Sequence, residues 1–261
     1  MPRSVRPIYP SAAIAANYEQ RLARLVERMA RQYDQTLTKA YRQNPTVLMA
    51  QDADPAAVLS AAMRTLGRRW SRQFDELADN LSKWFATSVT ERSDRMLRND
   101  LRRGGFTVKF TMSEPMRQAF NAVRAENVAL IRSVQSQYHG QVEQMVQSSV
   151  ATGRDIGALA KGLQDKLGVT RRRAALIARD QNNKATGAMQ RARQLSLGIT
   201  RAKWLHSAGG NAPRPEHVAF SGKTYSIRDG HDFGDGEGPT WPGVPINCKC
   251  VSVPVIPGFD D

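Results

Sequence analysis

The residues best equipped for chemistry lie near the C-terminal end of the 261-residue chain. The only two cysteines, Cys248 and Cys250, stand one residue apart in Pro245-Ile-Asn-Cys-Lys-Cys250. Two of the four histidines, His217 and His231, lie within the 35 residues upstream of them, and His206 precedes these. Thiolate and imidazole are good zinc ligands, so His217, Cys248, Cys250 and His231 are candidates for a closed tetrahedral site, with His206 a rival for the fourth position. The same residues also suit a clasp of buried thiols and hydrogen-bonded imidazole. A Cys248/His217 nucleophile pair would serve acyl transfer, and His217 with Asn247 loosely resembles part of a His-Asn-His nuclease. No oxyanion element is legible, and the reading favoured here is that the chain is not an enzyme. A disulfide across Cys-x-Cys would close a very small, strained ring. Two cysteines cannot staple a chain this long, so an intracellular, reduced protein is expected.

The elements that must position these residues are mostly helical. Ser11 is placed to cap a helix whose apolar residues run Ile14, Tyr18, Leu22, Leu25, Met29, Tyr33, Leu37 and Tyr41, ending at Asn44-Pro45. Asp54-Pro55 opens a second helix, which carries Val58, Ala62, Leu66, Trp70, Phe74, Leu77, Leu81, Trp84, Val89, Met96 and Leu101 as far as Gly104-Gly105. Phe106 to Phe110 alternates as a short strand or extended connector. A third helix starts at Ser113-Glu-Pro115. A short helix over 155–167 is expected to end at Gly168, and Thr170 to cap another that stops at Gly198. Beyond it, 199–205 and 249–256 read as strands, and 217–227 as two extended pieces around a Ser221-Gly222-Lys223 turn. The fold expected is a long-helix N-terminal arm or bundle over 1–153, followed by a small α+β module over 154–261. Trp204 and the Met and aromatic stripes are assigned to core, and His139 to helix packing.

Charge narrows the partners. The net charge is +14, and between 169 and 203 nine bases (Arg171, Arg172, Arg173, Arg179, Lys184, Arg191, Arg193, Arg201, Lys203) face one acid, Asp180. Such a stretch attracts polyanions, nucleic acid first among them, or docks on an acidic protein. Arg171, Arg172, Arg173, Arg179, Lys184 and Arg191 are the candidate nucleic-acid contacts. No run approaches the ~20 apolar residues that span a bilayer, and the N-terminus lacks the apolar stretch of a signal peptide.

Arg173-Ala-Ala-Leu-Ile-Ala-Arg-Asp-Gln181, Lys184, Arg191, Gly198-Ile199, Trp204, Arg214-Pro-Glu-His217, Gly222 and Pro245-Ile-Asn-Cys-Lys-Cys250 occur in this order. That succession, over about residues 155–256, resembles the phage Mu F-like family of head morphogenesis proteins. Two positions depart from the family pattern: Gly-Gly-Asn-Ala-Pro precedes Arg214 where an Asp is usual, and Lys249 stands where Arg is usual, keeping the charge but losing a bidentate fork. The resemblance implies a minor capsid protein of a tailed phage or prophage, acting in head assembly at the portal vertex, located in the virion and, during assembly, in the host cytoplasm. It implies portal, scaffold or major capsid protein as partners of the helical half. The alternative is a sequence-independent binder of packaged double-stranded DNA. Arg214, Gly222 and Asn247 are read as structural members of the motif, with Arg214 bracing its loop through backbone carbonyls or Asp229/Asp232.

Overall fold

A computed structural model describes residues 5–43, 55–151, 156–207 and 212–256. The expected signals at Asn44-Pro45, Asp54 and residues 152–155 lie outside the described residues, as do Gly209 to Asn211. Among those described, five helices and three strands occur in the order α1 (Ala12–Gln43), α2 (Pro55–Arg103), α3 (Glu114–Ala151), α4 (Ile156–Ser196), β1 (Arg201–Leu205), α5 (Pro215–Ala219), β2 (Thr224–Ser226) and β3 (Val251–Pro254). The fold is a mostly helical chain with a small antiparallel sheet near its C-terminal end.

The helix signals act as their chemistry dictates. The Ser11 hydroxyl accepts the N–H of Ile14 and its carbonyl accepts that of Ala15, so Ser11 caps α1. In α2 the buried stripe runs Leu59, Met63, Leu66, Trp70, Phe74, Ala78, Leu81, Phe85, Val89, Ser93, Leu97 and Leu101, three or four residues apart throughout. Val58, Ala62, Leu77, Trp84 and Met96, expected on that face, flank it instead. Residues 106–113 form no strand and are the extended connector.

The expected break at Gly168 does not occur: α4 is one helix from Ile156 to Ser196. Thr170 caps nothing; its hydroxyl donates to the Lys166 carbonyl one turn back. A glycine inside a helix costs only about 1 kcal/mol, and burial of Leu159, Leu163, Ala174 and Ile177 on either side outweighs it. At its other end α4 stops as read. Gly198 takes φ +77, and the N–H of Ile199 returns to the Gln194 carbonyl.

The chain folds as two compact units, each drawn from separated stretches. One unit comprises 17–81 and 127–177. Its core holds Tyr18, Leu22, Met29, Tyr33, Leu37, Phe74 and Tyr138, all essentially inaccessible to solvent. Tyr33 meets Tyr138 edge to face, its hydroxyl lies 2.7 Å from His139 Nδ1, and burial pushes the ionisation of both tyrosines up.

The other unit comprises 1–16, 82–126 and 178–261. Val5 and Ile8 are buried against Leu97 and Leu101. Amide side chains of α4 hold this N-terminal segment, Asn182 on the Ser11 carbonyl and Gln190 on the Ile8 carbonyl. Arg193 is buried, clasping Asp94 through two nitrogens at 2.8 and 2.6 Å and donating to the Thr111 carbonyl. The three-stranded sheet has β1 in its centre, paired antiparallel to β2 and β3.

Candidate functional site

The sheet builds the site outward from β1. Its residues alternate, with Ala202 and Trp204 facing inward. Trp204 is fully buried and is ringed by His217, Phe220, Tyr225 and Phe233 at centroid distances of 4.9 to 6.1 Å. It is therefore core, as expected, and no base can stack on it. The Gly222 N–H donates to the Trp204 carbonyl at 2.7 Å, while Gly222 itself turns at φ +84. A side chain there would strain the turn, which accounts for the glycine in the motif.

Arg214 is extended, as a residue before proline must be. Pro215 occupies the first helical turn of α5, which makes the segment before the Ser221–Lys223 turn helical rather than extended. That single turn carries His217 inward, where its ring stacks against Phe233 at 4.7 Å and is 3% exposed. The closing motif is held against α4. Asp180 accepts the backbone N–H of Asn247 at 2.9 Å, and the Asn183 amide donates to the Cys248 carbonyl at 3.0 Å. Asn247 adopts φ +60, a conformation that asparagine tolerates better than most residues. Arg214 completes the brace by donating to the Ile246 carbonyl rather than to Asp229 or Asp232.

This framework brings His217, Cys248 and Cys250 together, their ligand atoms all within 4.8 Å of one another. His217 Nδ1 lies 3.6 Å from Cys248 Sγ and 3.7 Å from Cys250 Sγ. His206 Nδ1 lies 3.6 Å from Cys250 Sγ. The strand register explains this neighbour, since Leu205 pairs with Val251 and the next step outward sets His206 opposite Cys250. His231 is elsewhere: its ring stacks on Phe220 at 3.6 Å and its backbone bridges to Thr240. Both cysteines are free and buried. A hydrogen bond from Cys250 brings the Cys248 thiol down to about 5, helped by the backbone N–H groups of Cys250 and Gly243; donating that bond pushes Cys250 up.

Beside this group, within the same unit, lies a cavity of about 550 Å³ lined by Arg179, Arg214 and Lys249 with Asp180, Asn183 and Asn247. Asp180 is spoken for, by the Asn247 N–H and by Lys184 at 3.2 Å. The predicted nucleic-acid residues divide by environment. Arg172 and Arg179 are exposed, and Arg171 is exposed beside Glu27 at 3.5 Å. Arg173 donates to Ser133, and Lys184 pairs with Asp180 and Glu126. Arg191 lies half-buried, its guanidinium 4.4 Å from the Trp241 ring, and burial lowers its pKa. Sequence reasoning missed Asp180 and Asn183 as the residues that seat the Cys motif. Their i, i+3 spacing puts them on one helix face, but they lie 67 and 65 residues before their partners, so no local signal marks them.

The folded motif agrees with what comparison of sequences finds. Residues 140–253 match the family described as Phage Mu protein F like protein. This part of the chain is Mu F-like. An uncharacterized protein of Haemophilus influenzae (strain ATCC 51907 / DSM 11121 / KW20 / Rd) is 26% identical over 262 residues, covering 97% of this chain and 56% of its own length. The chain thus spans about half of that relative. No solved structure matches. The Mu F-like region therefore includes the end of α3, all of α4 and nearly all of the sheet, and it holds every residue of the His/Cys group.

Proposed function

We propose that this chain is a minor head component of a tailed phage or prophage and acts in head morphogenesis at the portal vertex. The observation that carries the reading is the Mu F-like match over 140–253, whose motif residues Arg214, His217, Gly222, Asn247, Cys248 and Cys250 pack in one module with Trp204. That module has the traits of a structural part. Its histidine and cysteines are buried, its glycine and asparagine serve backbone turns, and its arginine braces a loop. No catalytic step is assigned to it. The long amphipathic helices are the elements available to portal, scaffold or shell protein. No helix among the described residues is long and apolar enough to cross a membrane.

The test is quantitative mass spectrometry of purified particles beside empty procapsids. A few copies in both is the expected result. Absence from every particle overturns the assignment.

A second reading has its own observation, the cavity whose three cations, Arg179, Arg214 and Lys249, suit a phosphate backbone. On this reading the chain binds packaged duplex DNA without regard to sequence. Binding should weaken steeply with salt, and each phosphate contact removed should flatten the log–log slope by about 0.9. Charge reversal at Arg179 and Arg214 is expected to do so. Charge reversal at Arg171–Arg173 tests the helix in the same way. Binding that ignores both salt and these changes rules the reading out.

A further inference from the structure

The arrangement of the buried nitrogen and sulfur atoms carries an inference independent of the assembly role. One imidazole nitrogen, His217 Nδ1, stands almost equidistant from two sulfurs, at 3.6 and 3.7 Å. A lone pair or an N–H makes one good hydrogen bond, not two in different directions. Cys250 Sγ in turn has two imidazole nitrogens near it, those of His217 and His206. The ligand atoms of His217, Cys248 and Cys250, all within 4.8 Å of one another, are three corners about a common centre, and His206 stands beside the Cys250 corner. With metal–sulfur bonds of about 2.3 Å and metal–nitrogen bonds of about 2.0–2.1 Å, tetrahedral angles separate nitrogen from sulfur by roughly 3.5–3.6 Å. The three observed nitrogen–sulfur separations fall within about 0.2 Å of that.

Three further observations agree. A void of about 30 Å³ is lined by His206, His217, Cys248 and Cys250 among others, room for a single ion or water molecule. Two thiolates and two neutral imidazoles balance a divalent cation, so the filled site would be electrically neutral, as burial demands. The ligands are held in place: His217 is wedged between Trp204 and Phe233, and the Cys248 carbonyl is tied to Asn183. We propose that His217, Cys248 and Cys250 hold a structural zinc ion, that His206, in contact with Cys250, turns in as its fourth ligand, and that the site staples the end of β1, α5 and the segment entering β3. Nitrogen and sulfur donors favour zinc over magnesium or calcium, which take oxygen ligands. His231 has no part in it.

The test uses the full chain, purified under reducing conditions. Total metal is measured by mass spectrometry, and the metal-free protein is titrated with zinc and, separately, with cobalt(II). One zinc per chain, and a cobalt complex with intense tetrahedral bands and thiolate charge transfer, are expected. H206A should weaken zinc by more than the roughly 10–100-fold that changes behind the ligands cost, while H231A should leave affinity unchanged. Should C248S or C250S fail to fold, chelation of the native chain gives the same answer through a lowered melting temperature, restored by zinc. A folded, reduced chain that takes up no stoichiometric zinc and gives no tetrahedral cobalt bands overturns the proposal. Loss of affinity in H231A with none in H206A overturns the choice of fourth ligand, and zinc binding that survives both cysteine variants overturns the site.

Discussion

Gly187 is where one methyl group should disturb the site most informatively. It lies within α4, and a Cβ built there would stand 2.8 Å from the Pro242 carbonyl oxygen, where ordinary contacts begin at 3.4 Å. The loop must retreat by about 0.6 Å to restore a normal van der Waals separation. The obstacle is backbone, so no side-chain rotation relieves it. Overpacking of this kind costs about 1–3 kcal/mol, whereas alanine in place of glycine inside a helix gains about 1 kcal/mol. For G187A the clash should match or exceed the gain, a net change from about zero to 2 kcal/mol destabilising. The matched control is G140A on α3, where an added Cβ meets nothing within 4 Å and only the gain remains. Paired denaturant melts should separate the two variants by about 1–3 kcal/mol. Hydrogen exchange at the Asn247 amide, bonded to Asp180, should also quicken in G187A alone. If G187A is stabilised as much as G140A, the Pro242 loop does not press on α4 at Gly187 and the expected clash is refuted.

Other outcomes follow from the same geometry. R193M should destabilise the chain by about 3–5 kcal/mol by stranding the Asp94 carboxylate, and a double-mutant cycle with D94L should recover much of that loss; strict additivity in the melts would disprove the clasp. Because Asn247 sits at φ +60, N247G should be near neutral and N247V should cost about 1–2 kcal/mol in thermal melts. Tyr225 donates to Ser252 at 2.8 Å, so Y225F should cost about 0.5–1.5 kcal/mol. Burial pushes Tyr225 up to about 12 from 10.0. The neutral phenol therefore contributes stability that is fully present below pH 10 and lost as pH rises toward 12, and the fall in stability over that window should be shallower in Y225F.

Much of the architecture was legible because helix periodicity is local. The caps at Ser11 and Gly198, the stripe of α1, part of that of α2 and the strand at Trp204 all depend on neighbours in sequence. The misreadings share one cause. Gly168, Thr170 and the stretch ahead of Ser221 carry signals for ending a helix or extending the chain, yet burial of distant surfaces and the proline of α5 decided otherwise. Buried polar partners such as Arg193 with Asp94, 99 residues apart, leave no periodic trace.

By itself the sequence determined which residue types are available and in what order: two thiols, four histidines, a run of arginines and the spaced motif ending at Cys250. It settled that thiol and imidazole would gather in one segment, because Cys-x-Cys and the histidines lie there. It could not choose among the histidines. His231 is closer to Cys250 along the chain than His206 is, yet it is His206 that neighbours the thiol in the fold. The tertiary structure chose, through strand register. Pairing Leu205 with Val251 delivers His206 to Cys250, while a stack on Phe220 and a bridge to Thr240 hold His231 away. Which histidine neighbours the thiols is fixed by backbone hydrogen bonds between strands remote in sequence, and those are a property of the folded chain.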